Sequence, residues 1–291
     1  MAARAACVVA WSLALGGCFS APTPLAPGLA GSVGMPSLGV QTGAAELPAA
    51  GKGFVRYRPR GKNHWGRPRL VSSLQRIAAE IDAELPGGSL VIGDLGAQSG
   101  GKIPGHASHR SGRDVDLLFF ALTPAGAPVV SPGFVRYEAD GLAIEPDSGD
   151  YLRLDLAREW LLIKKLVSDP QLGVQFLFIS KPLEALVMDY ARARGEPLEL
   201  QDRAQTVMLQ PRDSLPHDDH LHLRIACSPD ETQAGCSGGG PYWEWLPALP
   251  PAAELTQDLL DEIAQDEPVE PLGALPLAAA TPDAGEARAQ P

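Results

Sequence analysis

The sequence predicts an α+β fold, a single domain built on a central antiparallel sheet with flanking helices. Three observations predict it. Segments of helical period and segments of strand length both occur, in a 291-residue chain that is 45% hydrophobic and 20% charged, an ordinary globular composition. They mix without the regular strand–helix alternation of a parallel sheet. Two short clusters hold five of the six histidines, and each lies on or beside an apolar stretch of strand length.

The elements follow in order. Asn63-His64-Trp65-Gly66 reads as a loop. From Leu70 to Leu85 the apolar residues Leu70, Val71, Leu74, Ile77, Ala78, Ile81 and Leu85 fall at helical spacing, and Pro86-Gly87-Gly88 ends the run. Ser89 to Gly93 reads as a buried strand, and the Gly-rich stretch from Asp94 to Pro104 as a loop. Val115 to Leu122 is a second strand, followed by an irregular insertion from Thr123 to Asp150. Leu154 to Val167 is an amphipathic helix with Leu156, Trp160, Leu161, Ile163 and Leu166 on its apolar side. Val174 to Ile179 is a strand. Pro182 to Ala193 is a helix with Pro in its first turn and Gly195 beyond its end. A short strand at Val207 to Leu209 and a longer one from Leu221 to Ala226 complete the set.

The ends read differently. Arg4 precedes an apolar run from Ala5 to Leu15, too short to span a membrane comfortably. Leu15-Gly16-Gly17-Cys18 resembles a bacterial lipobox, so residues 1–17 are expected to be an export signal and Cys18 the lipidated first residue, anchored rather than spanning. Residues 18–52, rich in Gly, Ala, Pro and Ser, read as a flexible tether, with order beginning near residue 53. Residues 250–291 carry nine acids and one arginine, so −8 of the net charge of −11 lies there, and they read as a disordered acidic tail. The domain itself is residues 53–249. No basic patch marks a nucleic-acid partner. Cys227 and Cys236, nine positions apart in an exported chain, read as a local disulfide.

Chemistry concentrates in Gly105-His106-Ala107-Ser108-His109-Arg110-Ser111-Gly112-Arg113-Asp114-Val115-Asp116 and in His217-Asp218-Asp219-His220-Leu221-His222. Imidazole nitrogen and carboxylate oxygen are what a zinc ion accepts alongside thiolate. Residues two apart on a strand share a face, so His220 and His222 point one way and Leu221 and Leu223 the other. Asp114 and Asp116 share a side against Val115 and Leu117 in the same manner. Gly112 permits a turn between His109 and Asp116. Three ligands, His109, Asp116 and His222, leave a fourth position open, which is the arrangement of a catalytic zinc site. Asp114 is expected to orient a ligand or hold the loop.

His109-x-x-Gly112-x-x-x-Asp116 followed by His220-x-His222 resembles the signature of the lysostaphin, D-alanyl-D-alanine peptidase and hedgehog group. Ile92-Gly93-Asp94-Leu95-Gly96, Gly105-His106-Ala107-Ser108-His109 and His217-x-x-His220-x-His222-Leu223-Arg224 are similar, more closely, to the penicillin-insensitive murein endopeptidases. The resemblance covers roughly residues 53–245. It implies a hedgehog/D-Ala-D-Ala peptidase-like fold and a zinc amidase of the bacterial wall; with the lipobox-like Cys18, the expected place is the periplasm, held at the outer membrane by the lipid. Such an enzyme cuts the D-alanyl–meso-diaminopimelyl cross-link between stem peptides of peptidoglycan. The family's ligands carry over as His109, Asp116 and His222. His220 takes the role of general base or of stabiliser of the charged intermediate, with His217 as its companion. Family members can hold a second metal at a dimer interface through the equivalent of His106 and an Asp-Gly-x-His stretch. Here that stretch is Asp140-Gly141-Leu142-Ala143, without the histidine, which leaves the second site and the oligomeric state open. A zinc D,D-carboxypeptidase or other wall amidase, and a non-catalytic metal-containing binding domain, are the alternative readings.

Overall fold

The structure is a computed structural model, and it describes residues 31–249. The signal segment, Cys18 and the acidic tail lie outside the described residues. The strands and helices run β1 (Ser32–Met35), β2 (Leu38–Gln41), β3 (Ala45–Glu46), β4 (Ala50–Gly51), β5 (Phe54–Arg56), β6 (Trp65–Gly66), α1 (Pro68–Glu84), β7 (Leu90–Ile92) and β8 (Asp114–Leu118). They continue through β9 (Ala121–Leu122), β10 (Pro128–Val129), β11 (Leu142–Ile144), β12 (Tyr151–Leu154), α2 (Leu156–Ser168), β13 (Val174–Phe178) and α3 (Lys181–Ala193). The last four are α4 (Leu198–Val207), β14 (Met208–Leu209), β15 (His220–Ile225) and α5 (Pro229–Gln233). The class is α+β, as expected.

The main sheet has seven strands in the order β14-β13-β15-β8-β7-β5-β4. Its centre, β13-β15-β8-β7, is antiparallel. It is not antiparallel throughout, because β13 pairs β14 and β5 pairs β7 in parallel. Helices enter both connections: α3 and α4 lie between β13 and β14, and α1 between β5 and β7, long enough for a parallel crossover. One face of β8 and β15 buries Val115, Leu117, Leu221 and Leu223 completely. They join a continuous core with Leu70, Leu74 and Ile77 of α1 and Leu162, Ile163 and Leu166 of α2. The other face of the same strands is left for polar side chains.

The expected helices are present with shifts of one or two residues. Pro68 opens α1, and Asp155 caps α2 by accepting from the Arg158 backbone N–H at 3.2 Å. The insertion after β8 is less irregular than its Pro and Gly content suggests, since β9 to β12 form a four-stranded antiparallel sheet. Helix α4 is not visible in the sequence pattern. Of its residues only Gln201, Ala204 and Val207 are buried, too few to mark a stripe.

Residues 31–52 correct the expected tether. They carry four strands. β1 and β2 form a hairpin, and β3 pairs β6. Gln41, 2% exposed, donates from Nε2 to the carbonyls of Ala97 at 2.8 Å and Trp65 at 3.3 Å. Gly34 bridges Cys236 in parallel, and the Ser32 backbone N–H donates to Glu231. Strands of two to four residues give no period to read, so a composition of small residues conceals them. The disulfide Cys227–Cys236 is present and closes the segment against which this hairpin lies.

Candidate metal centre

β8 and β15 place the site. Their register sets His222 opposite Asp116 and Arg224 opposite Asp114. His109 arrives from the loop before β8. Its φ of 65° is in the left-handed region, unusual for a side-chain-bearing residue and a strain of order 1–3 kcal/mol. Gly112 turns the chain back into β8 with φ 73°, and a Cβ there would strike the Gln41 side chain.

Second partners fix both imidazoles. His109 donates from Nδ1 to the Leu95 carbonyl at 2.6 Å, so its lone pair is on Nε2. His222 donates from Nε2 to Asp114 Oδ1 at 2.9 Å, so its lone pair is on Nδ1. Both lone pairs face one carboxylate oxygen. Asp116 Oδ1 is 3.2 Å from His109 Nε2 and 3.1 Å from His222 Nδ1. His109 Nε2 and Asp116 Oδ1 are buried and neither makes a hydrogen bond. Three acceptors converging in a buried place repel unless a cation or protons lie among them. The donor set, two imidazoles and a carboxylate, is one that zinc accepts. The residues therefore fit a metal ion.

Without an ion, protons answer the same field. Burial works against a charged His109, but the Asp116 and Asp114 carboxylates and the Leu95 carbonyl outweigh it and raise its pKa. Burial would raise the pKa of Asp116, but His109, His220 and His222 hold it well below the usual carboxylate range. Asp114 behaves likewise, with Arg224 as the largest favourable influence, followed by His222.

His220 stands beside the three. Its Nε2 is 3.4 Å from Asp116 Oδ1, and its Nδ1 donates to Asp219 Oδ1 at 2.5 Å. Burial disfavours its charge, yet Asp116 and Asp219 raise its pKa to about 9. His217 goes the other way, to about 4, through burial first and then the neighbouring His222 and His220. Its Nδ1 is buried without a partner. The rings of His217 and His220 are 5.2 Å apart, and Phe134 meets His220 edge-on at 5.3 Å.

All five clustered histidines thus come together, as the sequence implied. Two groups of ligand atoms lie close enough to share an ion: His106, His109 and Asp116, and His217, His220 and His222. The expected set of His109, Asp116 and His222 draws on both groups. His106 and Asp140 are not seen together. His106 pairs with Asp94 Oδ2 at 3.1 Å, whereas Asp140 accepts from the Leu142 backbone N–H in its own turn. Asp94, Asp219 and Phe134 carry site contacts that sequence reasoning did not assign. Asp94 stood inside a quoted motif and Asp219 beside a quoted histidine, which was the only signal. The cleft over the site, about 900 Å³, is lined by Ser37, Ser108, Phe134, Phe178, Leu215 and Arg224 among others.

A buried set of two imidazoles and one carboxylate at the floor of an open cleft belongs to the class of sites that hold a metal for chemistry on a bound substrate. Comparison with known proteins shows what the chain is similar to. The profile described as penicillin-insensitive murein endopeptidase matches residues 32–131, which include His106, His109, Asp114 and Asp116. A penicillin-insensitive murein endopeptidase of Haemophilus influenzae is 26% identical over 253 residues, 81% of this chain and 80% of the relative. One of Escherichia coli is 38% identical over 93 residues, 32% of this chain and about a third (34%) of the relative's length. A Shigella boydii protein of the same name aligns with the same figures. The chain is a relative of the penicillin-insensitive murein endopeptidases, a peptidase family. No helix among the described residues is long and apolar enough to cross a membrane.

Proposed function

We propose that this chain is a zinc-dependent murein endopeptidase that hydrolyses D-alanyl–meso-diaminopimelyl cross-links between peptidoglycan stem peptides. The observation that carries the reading is the convergence of three lone-pair atoms, His109 Nε2, Asp116 Oδ1 and His222 Nδ1, on one buried point under the cleft. The names of the relatives supply the substrate class.

His109, Asp116 and His222 would hold the ion. When bound, zinc supplies Lewis acidity to a carbonyl oxygen and to water. The chain's own groups do the rest. Leu95 and Asp114 keep the two imidazoles in the required tautomers. Asp219 holds the His220 ring so that Nε2 faces the reacting region, where it acts as general base or as stabiliser of developing negative charge. His217, on the same wall, is its companion. Phe134 packs on His220 and limits its rotation. Action in the periplasm, with residues 1–17 as the export signal, Cys18 as the lipid anchor to the outer membrane, and 53–249 as the peptidase unit extended by residues 31–52, completes the proposal.

The test is incubation with purified cross-linked dimeric muropeptide, with and without a chelator, and mass analysis of the products. Two monomers, lost on chelation and restored by zinc, are expected. Release of only terminal D-alanine from monomeric pentapeptide would replace the reading with a carboxypeptidase.

A further inference from the structure

Arg224 in the cleft has unspent hydrogen-bonding capacity. Arg224 lies two residues beyond His222 on β15 and on the same face of the strand, with Asp114 and Phe176 as its register partners. Its Nε donates to Asp114 Oδ1 at 2.7 Å, and its guanidinium carbon lies 5.0 Å from the centre of the Phe178 ring. The stem is therefore held at two points. Among the described residues, neither terminal nitrogen has a protein partner, and the residue lines the cleft.

Its neighbours make the contrast. Arg113 is fully buried and spends both terminal nitrogens on the carbonyls of Ile225 and Ser237. Arg136 is two-thirds exposed on the rim and is tied through Nε to Asp218. Among the described residues of the cleft, Arg224 is the arginine whose stem is both largely buried and held at two points while its planar fork stays free. Such a fork matches a carboxylate with two parallel hydrogen bonds. Because the stem is already ordered, less entropy is lost on binding.

Distance gives the position of the anion. Residues two apart on a strand are separated by roughly 6–7 Å, so the fork begins about one substrate residue away from the His222 position. In the cross-link proposed as substrate, the carbon that bears the scissile nitrogen also bears a free carboxylate. We infer that Arg224 is a specificity-determining residue that binds this carboxylate and so selects substrates with an anion next to the bond to be cut. This inference rests on the endopeptidase reading for its choice of substrate.

The test compares two ligands that differ at one group. The purified chain is titrated calorimetrically with the amine-side product, a meso-diaminopimelyl peptide, as the free acid and with that single carboxylate amidated. The two corresponding cross-linked dimers are assayed in parallel. The acid is expected to bind roughly ten- to hundredfold more tightly, the usual effect of a charge-assisted pair. The same preference should appear in kcat/KM. Arg224→Gln should erase the acid-to-amide ratio, and Arg224→Lys should keep part of it. A residue that acts only by steadying Asp114 and His222 would lower both substrates together and leave the ratio unchanged, which overturns the inference. Equal binding of acid and amide by the unmodified chain also overturns it, even if Arg224→Gln does not fold. If neither dimer is cut while the acid is still preferred in binding, the endopeptidase reading fails and the carboxylate site stands.

Discussion

Asp114 Oδ1 lies 2.9 Å from His222 Nε2, a contact across 108 residues of sequence. A carboxylate can only accept, so this bond fixes the His222 proton on Nε2 and aims the Nδ1 lone pair at Asp116. Asp114→Asn keeps the shape but weakens that control. Metal affinity should fall roughly ten- to hundredfold, the usual cost of losing an orienting partner. Competition with a chelating dye measures it, and unchanged affinity would remove the role.

The ligands and His220 should separate cleanly. Alanine at His109, Asp116 or His222 should lower zinc content, measured by mass spectrometry of the metal, and abolish turnover. His220→Ala should retain zinc while activity drops by roughly 10²–10⁴. Zinc loss in that variant would place His220 among the ligands.

Glu159 makes stability depend on pH. It is 0% exposed, its Oε2 accepts from the Phe120 backbone N–H at 3.3 Å, and its Oε1 has no partner. Burial pushes its pKa up to about 8, helped by nearby Asp155 and opposed by the Phe120 bond. The folded chain therefore keeps a proton that the unfolded chain releases above its ordinary value of 4.5. Its contribution is full below that value and is lost as pH rises to about 8, an effect on the order of a few kcal/mol. Glu159→Gln should flatten this fall in melting temperature between those limits. An identical pH profile in the variant would contradict the burial argument.

The Cys227–Cys236 bridge closes a short loop whose ends are nine positions apart. In the loop-entropy account it contributes about 2–4 kcal/mol. Replacing both cysteines with serine should lower the thermal midpoint by several degrees and speed exchange of the Gly34 and Ser237 amides, which pair across the adjoining segment. Exchange rates that stay the same would show that the hairpin does not depend on the bridge.

Truncation tests the boundary. A chain beginning at Gly53 loses Gln41, Ser32 and the Thr42 carbonyl that Arg67 Nη1 binds at 2.5 Å. It leaves the Arg67–Glu231 pair partly uncovered. It should melt well below a chain beginning at Gly31. Equal melting temperatures would return residues 31–52 to the status of a tether.

The sequence alone determined what depends on local spacing. The period of two in His220-Leu221-His222 put two imidazoles on one side of a strand, and strand sterics made that unavoidable. The apolar stripe of α1 and the pairing of two nearby cysteines were legible for the same reason. Tertiary structure decided what depends on contacts between distant segments. That His106 turns to Asp94 rather than Asp140, that Arg224 shares Asp114 with His222, and that a Gly-rich stretch before residue 53 is a hairpin all rest on pairings without sequence period. Such choices are made by burial: each buried polar atom takes the partner that the folded chain brings within reach.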